Sequence, residues 1–178
     1  MFKIKPETLA DFSFSGTYLI LINPERIPHL ILVNNHRYFS LTNKKSIINE
    51  DFEPYLKLLL QQNRKLLIVA LKKIEFEKII EAFKRYKKVN NKTITCLFPL
   101  RDIYQSQLNL ETNFIFELIP QLAEKNLILN FSHLNLATEL NEFGEFKLTT
   151  YNQQDIFNYI QELNERDATR KKNLSKNN

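Results

Sequence analysis

Glycine occurs only twice in the 178 residues, at Gly16 and Gly144. The two stand too far apart to build a phosphate-cradling loop, a dinucleotide-binding fingerprint or a nucleophile elbow. There is one cysteine, Cys96, which excludes an intramolecular disulfide and a multi-thiolate zinc site. The three histidines, His29, His36 and His133, lack any close ligand spacing such as i and i+4 around a glutamate. No metal and no cofactor is therefore expected. Long hydrophobic runs are missing too: Tyr18 to Ile22 is too short for a signal-peptide core or a membrane span, and Met1 to Ala10 is charged and contains Pro6. A lone thiol suits a reducing compartment, and the expectation is a cytoplasmic protein without a transmembrane segment.

The formal charge of +5 is unevenly spread. Residues 170–178 carry four of the 25 basic side chains and no acid, so the rest of the chain, with 21 basic against 20 acidic residues, is close to neutral. Residues 167–178 lack apolar periodicity and read as a disordered basic tail. Composition does not change before residue 167 and no internal repeat is present, so 1–166 reads as a single domain. Lys84, Arg85, Lys87 and Lys88 form a second basic cluster at a helix end, where cations complement the dipole. With the tail, it is the available patch for a nucleic-acid partner.

The apolar pattern predicts mixed secondary structure. Gly16 to Asn23 (GTYLILIN) reads as a buried strand, and Pro24 and Pro28 bracket a loop. His29 to Asn34 (HLILVN) and Arg37 to Leu41 (RYFSL) read as a hairpin turning at Asn34, Asn35 and His36, where asparagine tolerates positive φ. Phe52, Tyr55, Leu56, Leu59 and Leu60 make the stripe of an amphipathic helix, with Pro54 in its first turn. Lys65 to Leu71 (KLLIVAL) is another buried strand, and Phe76, Ile79, Ile80 and Phe83 mark the next helix.

Thr93 to Phe98 (TITCLF) reads as a further strand running into Pro99, after which Leu100, Ile103, Tyr104 and Leu108 recur at helical spacing. That helix should begin within a few residues of Cys96. Pro120 argues for a break near Leu118. Leu127 to Phe131 and Glu145 to Leu148 are candidate strands, and Ile156, Phe157, Ile160 and Leu163 mark a last helix with Asn152 as its cap. Strands and helices mix without strict alternation, which favours an α+β domain with a mainly antiparallel sheet packed with helices.

The constellation with chemical promise is Cys96 with His29. A thiol becomes a good nucleophile when its pKa falls, as beside an imidazole or at a helix start. Thr95 is placed to cap such a helix. His29 opens a strand directly after Pro28, a rigid position from which its ring can face that start.

In order, GTYLILI, then PHLILVNNHRYFSL as a His-bearing hairpin, then KLLIVAL, a helix and TCLFPLRDIY resemble the circularly permuted papain-like (NlpC-type) proteins. That group includes bacterial amidase-like proteins and relatives of lecithin:retinol acyltransferase. The family's Asn-Cys-x-x-Phe appears here as Thr95-Cys96-Leu97-Phe98, with the aromatic one place early. The resemblance implies a papain-like permuted fold in which Cys96 is the nucleophile and His29 the general base. It also implies a third polar residue about a dozen positions after the histidine, where Ser40 or Thr42 stands. The implied activity is cysteine-dependent hydrolysis or acyl transfer at an amide or ester bond of a small-molecule or peptide acyl substrate. The competing expectation is a non-catalytic binding protein on the same fold, with a protein or nucleic-acid partner.

Overall fold

The computed structural model describes residues 2–3, 5–6, 13–90, 93–106 and 112–174. The elements in chain order are strands β1 (Phe2–Lys3), β2 (Lys5–Pro6), β3 (Thr17–Ile22), β4 (His29–Asn34), β5 (Arg37–Leu41) and β6 (Ser46–Asp51), helix α1 (Phe52–Gln61), and strand β7 (Leu66–Leu71). Helices α2 (Phe76–Lys84), α3 (Phe98–Tyr104) and α4 (Ile115–Glu124) follow, then β8 (Ile128–Leu134), β9 (Glu145–Phe146) and α5 (Gln153–Leu174). Seven strands form the main sheet in the order β2-β8-β7-β3-β4-β5-β6. All its neighbours are antiparallel except the short β2, which runs parallel to β8. The fold is α+β, as the mixed pattern predicts.

The central strands are buried on both faces, which explains why they read as unbroken apolar runs instead of alternating ones. Leu19, Leu21, Leu30, Leu32, Phe39 and Leu41 point to the side covered by α2, α3 and α4. Ile20, Ile22, Ile31, Val33 and Tyr38 point to the side covered by α1, where they meet Phe52, Leu56 and Leu59. The β4–β5 turn has Asn35 at φ 47° and His36 at φ 63°, the paired left-handed geometry of a two-residue hairpin. Asn34 then pairs with Arg37, and the register runs down to Ile31 opposite Ser40.

Three expectations need correction, and strand β6 was not foreseen. Thr93 to Phe98 is not a strand. The Asn90 side-chain oxygen accepts hydrogen bonds from the backbone N–H groups of Thr93 (2.7 Å) and Ile94 (2.9 Å), folding this stretch into turns that lead into α3. Pro120 does not break its helix. It lies exposed within α4, where it removes the hydrogen bond to the Phe116 carbonyl at a cost of about 3 kcal/mol. Burial of Ile115, Leu118, Ile119 and Leu122, each worth about 1.5–3 kcal/mol, outweighs that loss.

Nor does order stop at residue 166. Helix α5 continues to Leu174, held by an ion pair of Glu162 with Arg166 (3.5 Å) and by Lys44 on Asp167 (2.9 Å). Charged residues carry a helix well when pairs recur at i and i+4, so absence of apolar periodicity did not mean disorder here. Residues 175–178 of the expected tail lie outside the described residues. Finally, β6 had no forecast, because Ser46 to Asp51 is too polar for a buried strand; it is the sheet's edge.

The start of α5 follows expectation. Asn152 Oδ1 accepts from the backbone N–H of Gln154 (2.8 Å) and Asp155 (3.1 Å), while Asp155 Oδ2 accepts from Asn152 N–H (2.8 Å). This reciprocal cap predicts that Asn152→Ala lowers stability by about 1 kcal/mol in urea unfolding. An unchanged midpoint would show that the cap contributes nothing.

Candidate functional site

Strands β3, β4 and β5 reach a common end of the sheet, where Ile22 pairs with His29. Pro24 and Pro28 stiffen the connection between β3 and β4. Thr149 Oγ1 fastens that loop by donating to the Glu25 carbonyl at 2.9 Å. His29 is thus the first residue of β4, half-buried and fixed in direction by the strand.

Its ring is held by Ser40. His29 Nε2 and Ser40 Oγ lie 2.7 Å apart, and Ser40 is buried. The register explains the spacing: Ser40 stands opposite Ile31, and His29 precedes Ile31 by two, so His29 and Ser40 are diagonal neighbours on one face of the hairpin. A buried hydroxyl needs a partner, and the imidazole supplies it. Thr42, the other candidate for this role, turns away: its hydroxyl donates to the Lys45 carbonyl at 2.8 Å.

Cys96 arrives by a different route. The Val89 N–H donates to the Thr42 carbonyl (2.9 Å), which brings the loop after α2 against the end of β5. The turn organised by Asn90 then presents Thr95 and Cys96. Thr95 is buried and its hydroxyl accepts from Leu97 N–H at 3.3 Å, close to its expected capping role, although α3 itself begins at Phe98. Cys96 packs with the residues of the α2–α4 side, whereas strand alternation puts His29 and Ser40 on the α1 side. All but Ser40 line one cavity of about 360 Å³ at the end of the sheet. The sulfur meets the backbone N–H of Leu30, the residue next to His29.

The electrostatics favour neutral groups. Burial pushes the Cys96 thiol up from 9.0 to about 11, against a smaller pull downward from the Leu30 N–H. Burial lowers His29 from 6.5 to about 4. Each charge would be costly here, so near neutral pH the site holds a thiol and an uncharged imidazole. Sulfur and imidazole are not hydrogen-bonded to each other among the described residues, and Ser40 occupies Nε2, which leaves Nδ1 for other work.

The rest of the wall was not foreseen. Helix α1 contributes Tyr55, Leu58 and Leu59, and α5 contributes Ile156, Tyr159 and Leu163. Three arginines, Arg26, Arg64 and Arg166, line it as well. The spacing of Ile156, Ile160 and Leu163 marks an apolar stripe in the sequence, but which surface it meets depends on the fold.

Other candidates are placed as follows. His36 is exposed at the hairpin tip. His133 is buried in β8 with neither ring nitrogen hydrogen-bonded. Among the described residues no group of three His, Cys, Asp or Glu side chains is positioned to hold a metal ion. No helix among them is long and apolar enough to cross a membrane. In the basic cluster, Arg85 is paired with Asp102 (3.1 Å), which also accepts from Tyr86 Oη (2.9 Å), while Lys84, Lys87 and Lys88 are exposed. No family model, curated protein or solved structure matches the chain.

Proposed function

We propose that the chain is a cysteine-dependent hydrolase or acyl transferase acting on an amide or ester bond, of permuted papain-like type. The observation that carries this reading is the 2.7 Å hydrogen bond from His29 Nε2 to Ser40, made at the wall of a cavity that Cys96 also lines. A base oriented through one nitrogen, with a thiol in the same cavity, is the arrangement nucleophilic acyl chemistry needs.

The order of events follows from the neutral resting state. As the Cys96 sulfur forms a bond to the acyl carbon, its proton passes to His29 Nδ1. The tetrahedral adduct collapses, the bond to the leaving alcohol or amine breaks, and that group departs with the proton from His29. Water or an acceptor hydroxyl then attacks the thioester. His29 takes the incoming proton and returns it to the sulfur as the thiol is released. Ser40 keeps the ring aligned throughout and stabilises the transient imidazolium by accepting from Nε2–H.

The test is acylation of Cys96 by 4-nitrophenyl acetate, followed by nitrophenolate release and by mass spectrometry of the intact chain. Native protein is expected to carry one acetyl group on Cys96, Cys96→Ala none. His29→Ala should react at least about 100-fold more slowly. Ser40→Ala should show a smaller loss. A folded His29→Ala variant that acylates at the native rate would sink the mechanism.

A second reading is favoured by one observation: thiol and imidazole are not joined and each is held neutral by burial. On that reading the chain is a non-catalytic binding protein on the same fold. Cys96 would then stay unmodified by the ester while the cavity still takes up a ligand.

A further inference from the structure

The cavity has a charge character of its own. No aspartate or glutamate lines it among the described residues, whereas Arg26, Arg64 and Arg166 do. That is a strong local bias in a body whose acids and bases nearly balance. Of the acids on α5, Glu162 pairs with Arg166 at 3.5 Å and Asp167 with Lys44 at 2.9 Å. Arg64 donates through Nε to Gln62 Oε1 at 3.1 Å, and among the described residues Arg26 has no side-chain hydrogen bond. Arg26 and Arg64 thus line the cavity without an ion pair to a carboxylate among the described residues. Guanidinium groups so placed suit the planar, bidentate geometry of a carboxylate or phosphate.

The remaining wall is aliphatic. Leu59, Ile160 and Leu163 line it, together with Leu58, which is 44% exposed and among the few large apolar side chains left open. A volume of about 360 Å³ fits a small ligand. We infer that the occupant is an anionic amphiphile, its alkyl segment lying between α1 and α5 and its carboxylate or phosphate held by Arg26 and Arg64. This deepens the acyl-transfer reading by naming its substrate class, and it rests on that reading only in taking the cavity as the substrate site.

The experiment is calorimetric titration of the full chain with octanoate, octyl phosphate, octanol and octylamine, each below its micelle concentration. At least one of the two anions is expected to bind about tenfold or more tightly than octanol, with octylamine weaker still. Which anion wins distinguishes a carboxylate ligand from a phosphate one. The double variant Arg26→Gln, Arg64→Gln should lose the anion preference and keep its affinity for octanol. The bound anion should slow alkylation of native Cys96 by iodoacetamide.

Equal affinity for octanol and both anions, retention of the preference in the double variant, or failure of every alkyl probe to bind would overturn the inference. Its fate is separable from that of the catalytic proposal. If anions bind selectively while Cys96 resists acylation, the catalytic proposal falls and the ligand class stands. If Cys96 is acylated without anion preference, the reverse holds.

Discussion

Replacing Phe39 by alanine is expected to lower stability by about 3–5 kcal/mol, a large share of what a domain of this size possesses. The ring is fully buried in β5, opposite Leu32, with its centroid 5.8 Å from Phe76 and 5.6 Å from Phe83. Truncation leaves a cavity where sheet and α2 meet, and two aromatic partners lose their contact at once. Urea unfolding should show a lower midpoint with an unchanged slope. Phe39→Leu should cost less, since most of the volume stays filled. The consequence reaches the candidate site, because Ser40 follows directly in the strand. A loss below about 1 kcal/mol for the alanine variant would mean that β5 is not anchored through this ring.

The second large effect is on the pH dependence of stability. His29 is lowered from 6.5 to about 4 by burial, so the unfolded chain binds the proton more readily than the folded one. The contribution is fully present above pH 6.5 and is lost as pH falls through the interval down to about 4. That difference corresponds to about 3 kcal/mol. Cys96 acts in the opposite range: its pKa is raised from 9.0 to about 11, so its contribution is present below pH 9.0 and fades as pH climbs toward 11.

Stability should therefore peak between these two windows. Comparing native protein with His29→Gln in urea at a series of pH values isolates the acid limb, since the variant keeps a polar group for Ser40 but cannot titrate. The advantage of native over variant should shrink steadily from pH 6.5 toward 4. Parallel profiles would show that His29 is solvated after all, and the cavity would have to be wetter than its lining suggests. His133, also lowered by burial, adds an acid-sensitive contribution common to both proteins and cancels in the comparison.

Much of the candidate site could be read in advance. The distance from His29 to Ser40 follows from a two-residue turn and a period of two, both set by Asn35, His36 and the alternating residues of the hairpin. A bond between residues eleven apart is in this sense a local property. Cys96 was legible as the one thiol, and Pro99 as the sign of a helix just beyond it. The turn that delivers it was not, because it depends on Asn90 capturing two backbone amides, and an asparagine in a polar stretch carries no distinctive signal. The protonation states were equally hidden: a cysteine near a helix start suggests a lowered pKa, whereas the thiol here is raised by enclosure.

The sequence by itself determined the elements whose stabilising contacts are close in the chain. These are the β4–β5 hairpin, the capped start of α5, the amphipathic stripes of α1 and α2, and the runs of β3 and β7 that can only be buried on both faces. Only the tertiary structure decided what those elements meet. It set α5 beside α1 to enclose a cavity, and carried helical order past residue 166. It brought together Arg26, Arg64 and Arg166 from a loop, a loop and a helix. Short-range order is written in periodicity and in turn and capping residues. Proximity between distant segments depends on which apolar faces pack together, and many sequences with the same stripes could pack them differently.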